Sequence, residues 1–274
     1  MSTQAVFIPA CFHLAQTLDC GQAFRWQPCP QNPDVWEGAA FGRFLTLRQA
    51  GGALELRCPQ EDFTRVWRSY FDLDTDYEAI RAALAGLHPN LRAAAEYAPG
   101  IRILRQEPWE ALCSFVLSQN NNILRIKGII RRFCQLFGQP LAGGAEFGFP
   151  PAEAIASLAA EDLAPLHAGY RAPYVLEAAR AVAGGSLDLE RIAREPAGYG
   201  REELRKIRGV GPKVAECVLL YGFHKTECFP LDVWMKRAMA VLLPGFTPED
   251  LGPHAGIAQQ YLFHYSRTHP ELFA

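Results

Sequence analysis

The chain has 274 residues, of which 49% are hydrophobic and 20% charged, and its formal net charge at pH 7 is −2. That apolar content fills the core of one large or two modest domains and excludes an intrinsically disordered chain. No apolar run approaches the ~20 residues of a membrane span, the 23 Gly and 20 Pro follow no fixed period, and Met1 to Pro9 lack a basic stretch followed by an apolar core, so neither a transmembrane protein, a collagen-like chain nor a secretory signal is expected.

Residues 1–58 read mostly as strands. Gln22 to Trp26 alternates in part, and Val35 to Arg48 continues the pattern. The pairs Leu45/Leu47 and Leu54/Leu56 flank Gly51-Gly52, which predicts a hairpin in an antiparallel sheet with one solvated face. From about residue 60 the period changes: Phe63, Val66, Trp67, Tyr70 and Phe71 recur at helical spacing. Helices are predicted over 108–117, 123–137, 152–158, 171–184, 201–207, 212–222, 232–242 and 254–268. Pro and Gly punctuate them, and Gly138, Pro140, Gly143 and Gly144 mark one long loop. The expected architecture is α+β: an N-terminal antiparallel sheet domain with flanking helices over 1–100, then a mostly helical domain over 101–274.

The eight cysteines include no C-x-x-C pair and no tight cluster, and the seven histidines form no spaced ligand set. Neither a zinc site nor an iron–sulfur cluster is expected, and the reading is a reduced, cytoplasmic protein. Cys113 and Cys134 sit among apolar residues and read as core; Cys20 and Trp26 read as part of the sheet core.

The most informative stretch is Leu204-Arg-Lys-Ile-Arg-Gly-Val-Gly-Pro-Lys-Val-Ala-Glu-Cys-Val-Leu-Leu220. A short helix reaches Gly209-Val210-Gly211, and a second opens at Pro212, which suits a first helical turn. Two glycines permit a tight hairpin with left-handed angles. Backbone N–H groups beside a helix N-terminus suit a phosphate. A plain helix–turn–helix connection explains the spacing equally well. Charge adds to the phosphate reading: residues 201–237 hold eight Lys/Arg against five Asp/Glu, and 119–137 hold four Lys/Arg and no acid, although the whole chain is acidic. A locally basic face on an acidic protein fits a nucleic-acid backbone.

Lys213 falls in the first turn of the second helix and is the candidate nucleophilic amine. Cys217, four residues on, shares its face. Asp232, in Phe229-Pro-Leu-Asp-Val-Trp-Met-Lys-Arg237, reads as an N-cap whose charge could also steady a developing cation. Such a Lys–Asp pair suits attack at a sugar carbon with loss of a base.

These residues resemble the helix–hairpin–helix DNA glycosylases, which carry a Gly/Pro-rich loop and an Asp, and among them the 8-oxoguanine DNA glycosylase/AP lyase branch. Four further blocks agree, in the family's order: Cys20-Gly-Gln-Ala-Phe-Arg-Trp26, Ser118-Gln-Asn-Asn-Asn-Ile-Leu-Arg125, Gly169-Tyr-Arg-Ala-Pro-Tyr174 and Ala255-Gly-Ile-Ala-Gln-Gln-Tyr-Leu-Phe263. The resemblance implies that Lys213 is a Schiff-base nucleophile with Asp232 as its partner. It implies that the Gly21 carbonyl accepts the N7 hydrogen of 8-oxoguanine, that Cys217 and Phe263 sandwich the extruded base, and that Gln259 bonds its Watson–Crick edge. Asn120 would fill the gap in the duplex, Arg125 and Arg171 would read the orphan cytosine, and Tyr170 would wedge into the stack. Gly209, Val210 and Gly211 would hold a backbone phosphate, with a structural monovalent or divalent cation an option on the carbonyls of Arg205, Ile207 and Val210. No other cofactor is implied. The partner is double-stranded DNA with an oxidised purine, bound by a monomer in the cytoplasm or on a prokaryotic nucleoid. A monofunctional alkyl-base glycosylase and a non-catalytic DNA-binding module are the alternatives. Two departures stand out: Trp234 occupies a position where many members have His, and Gln119 one where Ser is common.

Overall fold

The computed structural model describes residues 3–7, 11–142 and 146–273; Gly143 and Gly144 of the expected loop lie outside them. Gly51 (φ +57°) and Gly52 (φ +78°) both adopt left-handed angles, as the two central residues of a tight hairpin turn must. They join β4 (Arg43–Ala50) to β5 (Ala53–Arg57). With β1 (Thr3–Phe7), β2 (Trp26–Cys29) and β3 (Asn32–Ala40) these strands form an antiparallel sheet of order β1-β5-β4-β3-β2. Leu47 lies opposite Leu56, and Leu45, Leu47, Leu54 and Leu56 are all buried on one face. The helical stretch 60–70, which includes a π-turn at Phe63–Trp67, covers that face. Trp26 donates its Nε1–H to Tyr70 Oη at 2.6 Å within a cluster that also holds Trp67 and Phe71.

Two details differ from expectation in this region. Leu14–Leu18 is a helix, its first turn capped by His13 Nδ1, which accepts from the Gln16 N–H at 3.3 Å. Gln22 to Phe24 forms bends, and the strand begins only at Trp26. The bends arise because Gln22 bonds elsewhere, as described below.

The helical body has its own core. Helices Pro108–Ser118 and Pro212–Phe223 run through its centre, and Ile123–Phe137, Ala172–Ala183, Ala197–Leu204, Val233–Leu242 and Ala255–Thr268 pack around them. Three further helices, Tyr77–Ala85, Pro89–Tyr97 and Leu189–Arg194, were not apparent from periodicity. The first two are rich in alanine, which gives little contrast between faces. Their apolar residues join the helical core although they precede the expected boundary at residue 100. Cys20 also packs in the helical core, not in the sheet core as expected, because the turn carrying it lies at the junction. No helix among the described residues is long and apolar enough to cross a membrane.

A polar strut ties the two regions together. Buried Asp72 accepts from Thr75 Oγ1 (2.8 Å), Tyr77 Oη (2.9 Å) and Arg105 Nε (2.9 Å), and lies 3.3 Å from His224 Nε2. His224 caps the C-terminus of helix Pro212–Phe223. Burial pushes the Asp72 carboxyl up, but hydrogen bonding and charge from His224 and the Arg105 guanidinium outweigh it and hold it well below the usual carboxylate range.

Candidate active site

Pro212 opens the helix that carries Lys213, and Gly211 is its N-cap. Gly209 has φ +85°, and a Cβ there would lie 2.3 Å from Tyr174 Cδ2, so only glycine fits. Gly211 corrects the expectation of two left-handed glycines: its φ is −86°, and its value is open space, since nothing lies within 4 Å of where a Cβ would be. That opening exposes the hairpin backbone to an approaching ligand. On the other side of the hairpin, the Val210 N–H donates to the Ile207 carbonyl at 3.0 Å. Among the described residues the carbonyls of Arg205 and Val210 accept no backbone hydrogen bond. Three neutral oxygens with lone pairs to spare fit a hard cation. Elsewhere in the described residues, no group of three His, Cys, Asp or Glu could hold a metal.

The Lys213 Nζ lies 5.5 Å from the centroid of Phe115. Phe115 stacks on Tyr221 (5.1 Å, 19°) and receives Phe24 edge-on from the sheet side (5.8 Å). Cys217 is buried one turn along the same helix, in contact with Lys213. Burial raises the thiol's pKa, the Lys213 side chain lowers it by charge and hydrogen bonding, and the negative charge of Asp232 raises it again. Lys213, Cys217 and Asp232 therefore share one electrostatic neighbourhood. Asp232 is the N-cap of Val233–Leu242, and its Oδ1 accepts from the Met235 N–H at 2.8 Å. The cap fixes one oxygen and leaves the other available.

Gln259 is buried. Its Oε1 is 3.3 Å from the donating Gln260 Nε2 and 3.5 Å from the Tyr221 hydroxyl, which in turn accepts from Gln260. Burial pushes the Tyr221 phenol far up, so it serves as a neutral hydroxyl. Gly21 has φ +87°, and its Cβ position faces Ile123 Cδ1 at 3.6 Å and Phe263 Cε1 at 3.9 Å. Gln22 holds this turn in place. Its Nε2 donates to the carbonyls of Thr17 (2.8 Å) and Arg102 (2.7 Å), its Oε1 accepts from the Leu104 N–H (2.9 Å), and its own carbonyl accepts from Gln106 Nε2 (2.7 Å). A cleft of about 670 Å³ opens beside Phe263, lined also by Cys20, Ile123, Lys127 and Arg131. It stops short of Lys213, Asp232, Cys217 and Gln259.

The Asn-rich turn and the loop at Gly169 meet. Asn122 caps helix Ile123–Phe137 by accepting from the Arg125 N–H at 2.9 Å, and exposed Asn120 takes a left-handed φ of +45°. Arg171 is buried against this turn. Its Nε donates to the Gln119 carbonyl (2.7 Å), its Nη2 to the carbonyls of Gln119 and Asn120 (2.8 Å for the latter), and its Nη1 to that of Ala168 (3.2 Å). Four of the five guanidinium N–H groups are thus committed to backbone. The guanidinium also lies 4.4 Å from the centroid of Tyr170, which is itself half exposed. The Arg125 side chain is exposed on the same side. Two apolar side chains are turned to solvent, Leu124 at 82% exposure in the helix after the Asn-rich turn and Val233 at 86% directly after Asp232.

Sequence reasoning missed Phe115, Tyr221 and Gln22. Phe115 and Tyr221 look like ordinary core, and only the tertiary structure sets them under Lys213 and Gln259. Gln22 lay inside the quoted block at 20–26, between the small residues Gly21 and Ala23, and no pattern in the sequence marked it as buried.

Fold and site together define a helix–hairpin–helix DNA glycosylase architecture, and comparison with known proteins agrees. Residues 6–112 match the profile of the 8-oxoguanine DNA glycosylase N-terminal domain, and residues 113–245 that of the helix–hairpin–helix GPD superfamily of base excision DNA repair proteins. The "Probable N-glycosylase/DNA lyase" of Methanothermobacter thermautotrophicus is 32% identical, over 81% of this chain and 82% of its own. The structure of MBOgg1 in complex with a low affinity DNA ligand is 36% identical, covering 98% and 96% of the two chains with a TM-score of 0.92. The Clostridium acetobutylicum 8-oxoguanine glycosylase/lyase, in complex with double-stranded DNA containing cytosine opposite 8-oxoguanine, is 34% identical over 94% and 93%, with a TM-score of 0.88. The chain belongs to the 8-oxoguanine DNA glycosylase family.

Proposed function

We propose that this protein excises 8-oxoguanine paired with cytosine from duplex DNA and then cuts the strand by β-elimination. The observation that carries the reading is the placement of Lys213: an amine against Phe115 and Cys217, beside a hairpin that offers backbone to phosphate and in the neighbourhood of a capping carboxylate. The Lys213 amine attacks C1′ of the extruded nucleotide. The C1′–N9 bond breaks, its electron pair leaves with the base, and the proton that the Lys213 nitrogen sheds on bonding to C1′ passes to the departing ring to give the free purine. Asp232 stabilises the positive character at C1′. The amine then forms a Schiff base with ring opening of the sugar, loss of the 2′ proton follows, and the C3′–O bond breaks.

In the same reading the Gly21 carbonyl accepts the N7 hydrogen, which undamaged guanine lacks. A carbonyl left unpaired by the wrong base gives strong discrimination. Cys217 and Phe263 enclose the base, and Gln259, held by Tyr221 and Gln260, meets its edge. Asn120 fills the gap in the stack and Tyr170 wedges beside it. Arg125 reads the orphan cytosine; Arg171 keeps one N–H for it, with three others on the Gln119 and Asn120 carbonyls and one on that of Ala168. Gly209 to Gly211 bind a phosphate, with a cation on the carbonyls of Arg205, Ile207 and Val210 adding positive charge there. No organic cofactor is required. The protein acts as a monomer in the cytoplasm.

The test is a duplex with one 8-oxoguanine placed opposite each of the four bases in turn, with released base identified by mass spectrometry and strand cutting followed on a gel. Free 8-oxoguanine and a nicked strand are expected from the cytosine duplex, with undamaged guanine left in place. Release of 3-methyladenine from alkylated DNA without any nick would support a monofunctional glycosylase instead.

A further inference from the structure

Trp234 is the second residue of the helix that Asp232 caps, yet its ring reaches a different helix. The indole Nε1–H donates to Ser266 Oγ at 2.9 Å. The Ser266 hydroxyl donates in turn to the carbonyl of Phe263 at 3.1 Å. Ser266 is fully buried, so its one proton and its acceptor lone pairs have no water to turn to. The indole also leans on Phe273 (5.1 Å between centroids), whose carbonyl accepts from Arg237 and whose ring lies 5.5 Å from that guanidinium. Trp234 is therefore wedged from behind and bonded in front. The bonded chain runs from the helix of Asp232 to the backbone of Phe263, whose ring faces Gly21 on one side and the Arg267 guanidinium, 5.4 Å away, on another.

From this geometry we infer that Trp234 is a positioning residue for base excision, acting through Ser266 to set the Phe263 ring relative to Asp232. The inference rests on the function proposed above. It carries a consequence that a general bracing role does not. A preformed abasic site has no base for Phe263 to hold, so the lyase step on such a site needs Lys213 but not this relay. Loss of the relay separates the two steps.

The experiment compares the full-length protein with Trp234→Phe, which keeps an aromatic ring and removes the donor, and with Ser266→Ala. Each is assayed under single-turnover conditions on an 8-oxoguanine:cytosine duplex and on the same duplex with a preformed abasic site, and thermal melting verifies folding. Both variants are expected to excise 8-oxoguanine on the order of tenfold more slowly, the size of one lost buried hydrogen bond. Cleavage at the abasic site should change less than twofold. The double variant should be no slower than about either single one, because both cut the same chain. Excision at the wild-type rate in Trp234→Phe and Ser266→Ala overturns the inference, and so does an equal fall in both reactions. Failure of the wild-type protein to release 8-oxoguanine would instead refute the proposed function, which separates the two claims.

Discussion

The two cores of the molecule are filled differently. The sheet region is packed with aromatic rings: Trp26, Trp67, Tyr70 and Phe71 contact one another with centroids 5.1–6.2 Å apart, and the single indole–phenol bond is internal to the cluster. The helical body is mostly aliphatic, but it buries Gln259 and Gln260 beside Tyr221, and Ser266 further along the same helix. Buried polar groups cost stability unless each is satisfied. The sheet core thus serves as scaffold, whereas the helical core accepts that cost where the chemistry is proposed. The junction belongs to both: Gln22 suspends Gly21 from the segment 102–106, and Asp72 braces the end of the Lys213 helix.

Substitutions in the two regions should therefore fail in different ways. The largest effect is expected in the helical body. Asp232→Asn keeps the N-cap, because Asn caps as well as Asp, and removes only the charge. Excision and abasic-site cleavage should both fall by ~100-fold or more while the melting temperature stays within ~2 °C. Next comes the junction. Gln22→Ala removes the three side-chain hydrogen bonds to Thr17, Arg102 and Leu104 that hold the Gly21 turn, so excision of 8-oxoguanine should fall on the order of tenfold and stability by about 2–3 kcal/mol. The abasic-site reaction, which has no base to select, should stay within about twofold of the wild type. Equal loss of both activities would erase the distinction between the junction and the body.

Stability against pH sharpens the same contrast. The folded pKa of Asp72 is depressed, so its contribution is present above the ordinary carboxylate value of 3.8 and is lost as pH falls through the folded value. Asp72→Asn should cost about 2 kcal/mol at pH 7 and should flatten the acid limb of the stability curve. Glu110 behaves in the opposite way. Burial raises its carboxyl to about 7, against the pull of Arg25 at 3.2 Å. A raised folded pKa gives stability that is fully present below 4.5 and is lost as pH rises through about 7. Glu110→Gln should remove that decline, an effect of about 2–3 kcal/mol between pH 5 and 8, measured by chemical denaturation.

Much of this arrangement was legible in the sequence where local chemistry dictates local structure. Helix Ile123–Phe137 has its predicted bounds, Asp232 is the N-cap that its place before Val233 suggests, and Pro212 opens the Lys213 helix. Cys217 is four residues from Lys213, and helical periodicity alone brings them together. What was not legible depends on distant partners. The commitment of Arg171 to the carbonyls of Gln119 and Asn120 follows from the left-handed Asn120 turning those carbonyls inward, which no residue pattern records. Gly211 was read as conformationally special when it is spatially special, a property of what does not surround it. Trp234 stood out only as a departure from the family's His, and its partner, Ser266, lies 32 residues away.

The central claim is that Lys213 is the covalent nucleophile. Sodium borohydride added during reaction with an 8-oxoguanine:cytosine duplex should reduce the Schiff base and leave a protein–DNA adduct that survives denaturing electrophoresis. This adduct is expected for the wild-type protein and none for Lys213→Gln, whose duplex binding should persist. An adduct of wild-type yield from Lys213→Gln would contradict it.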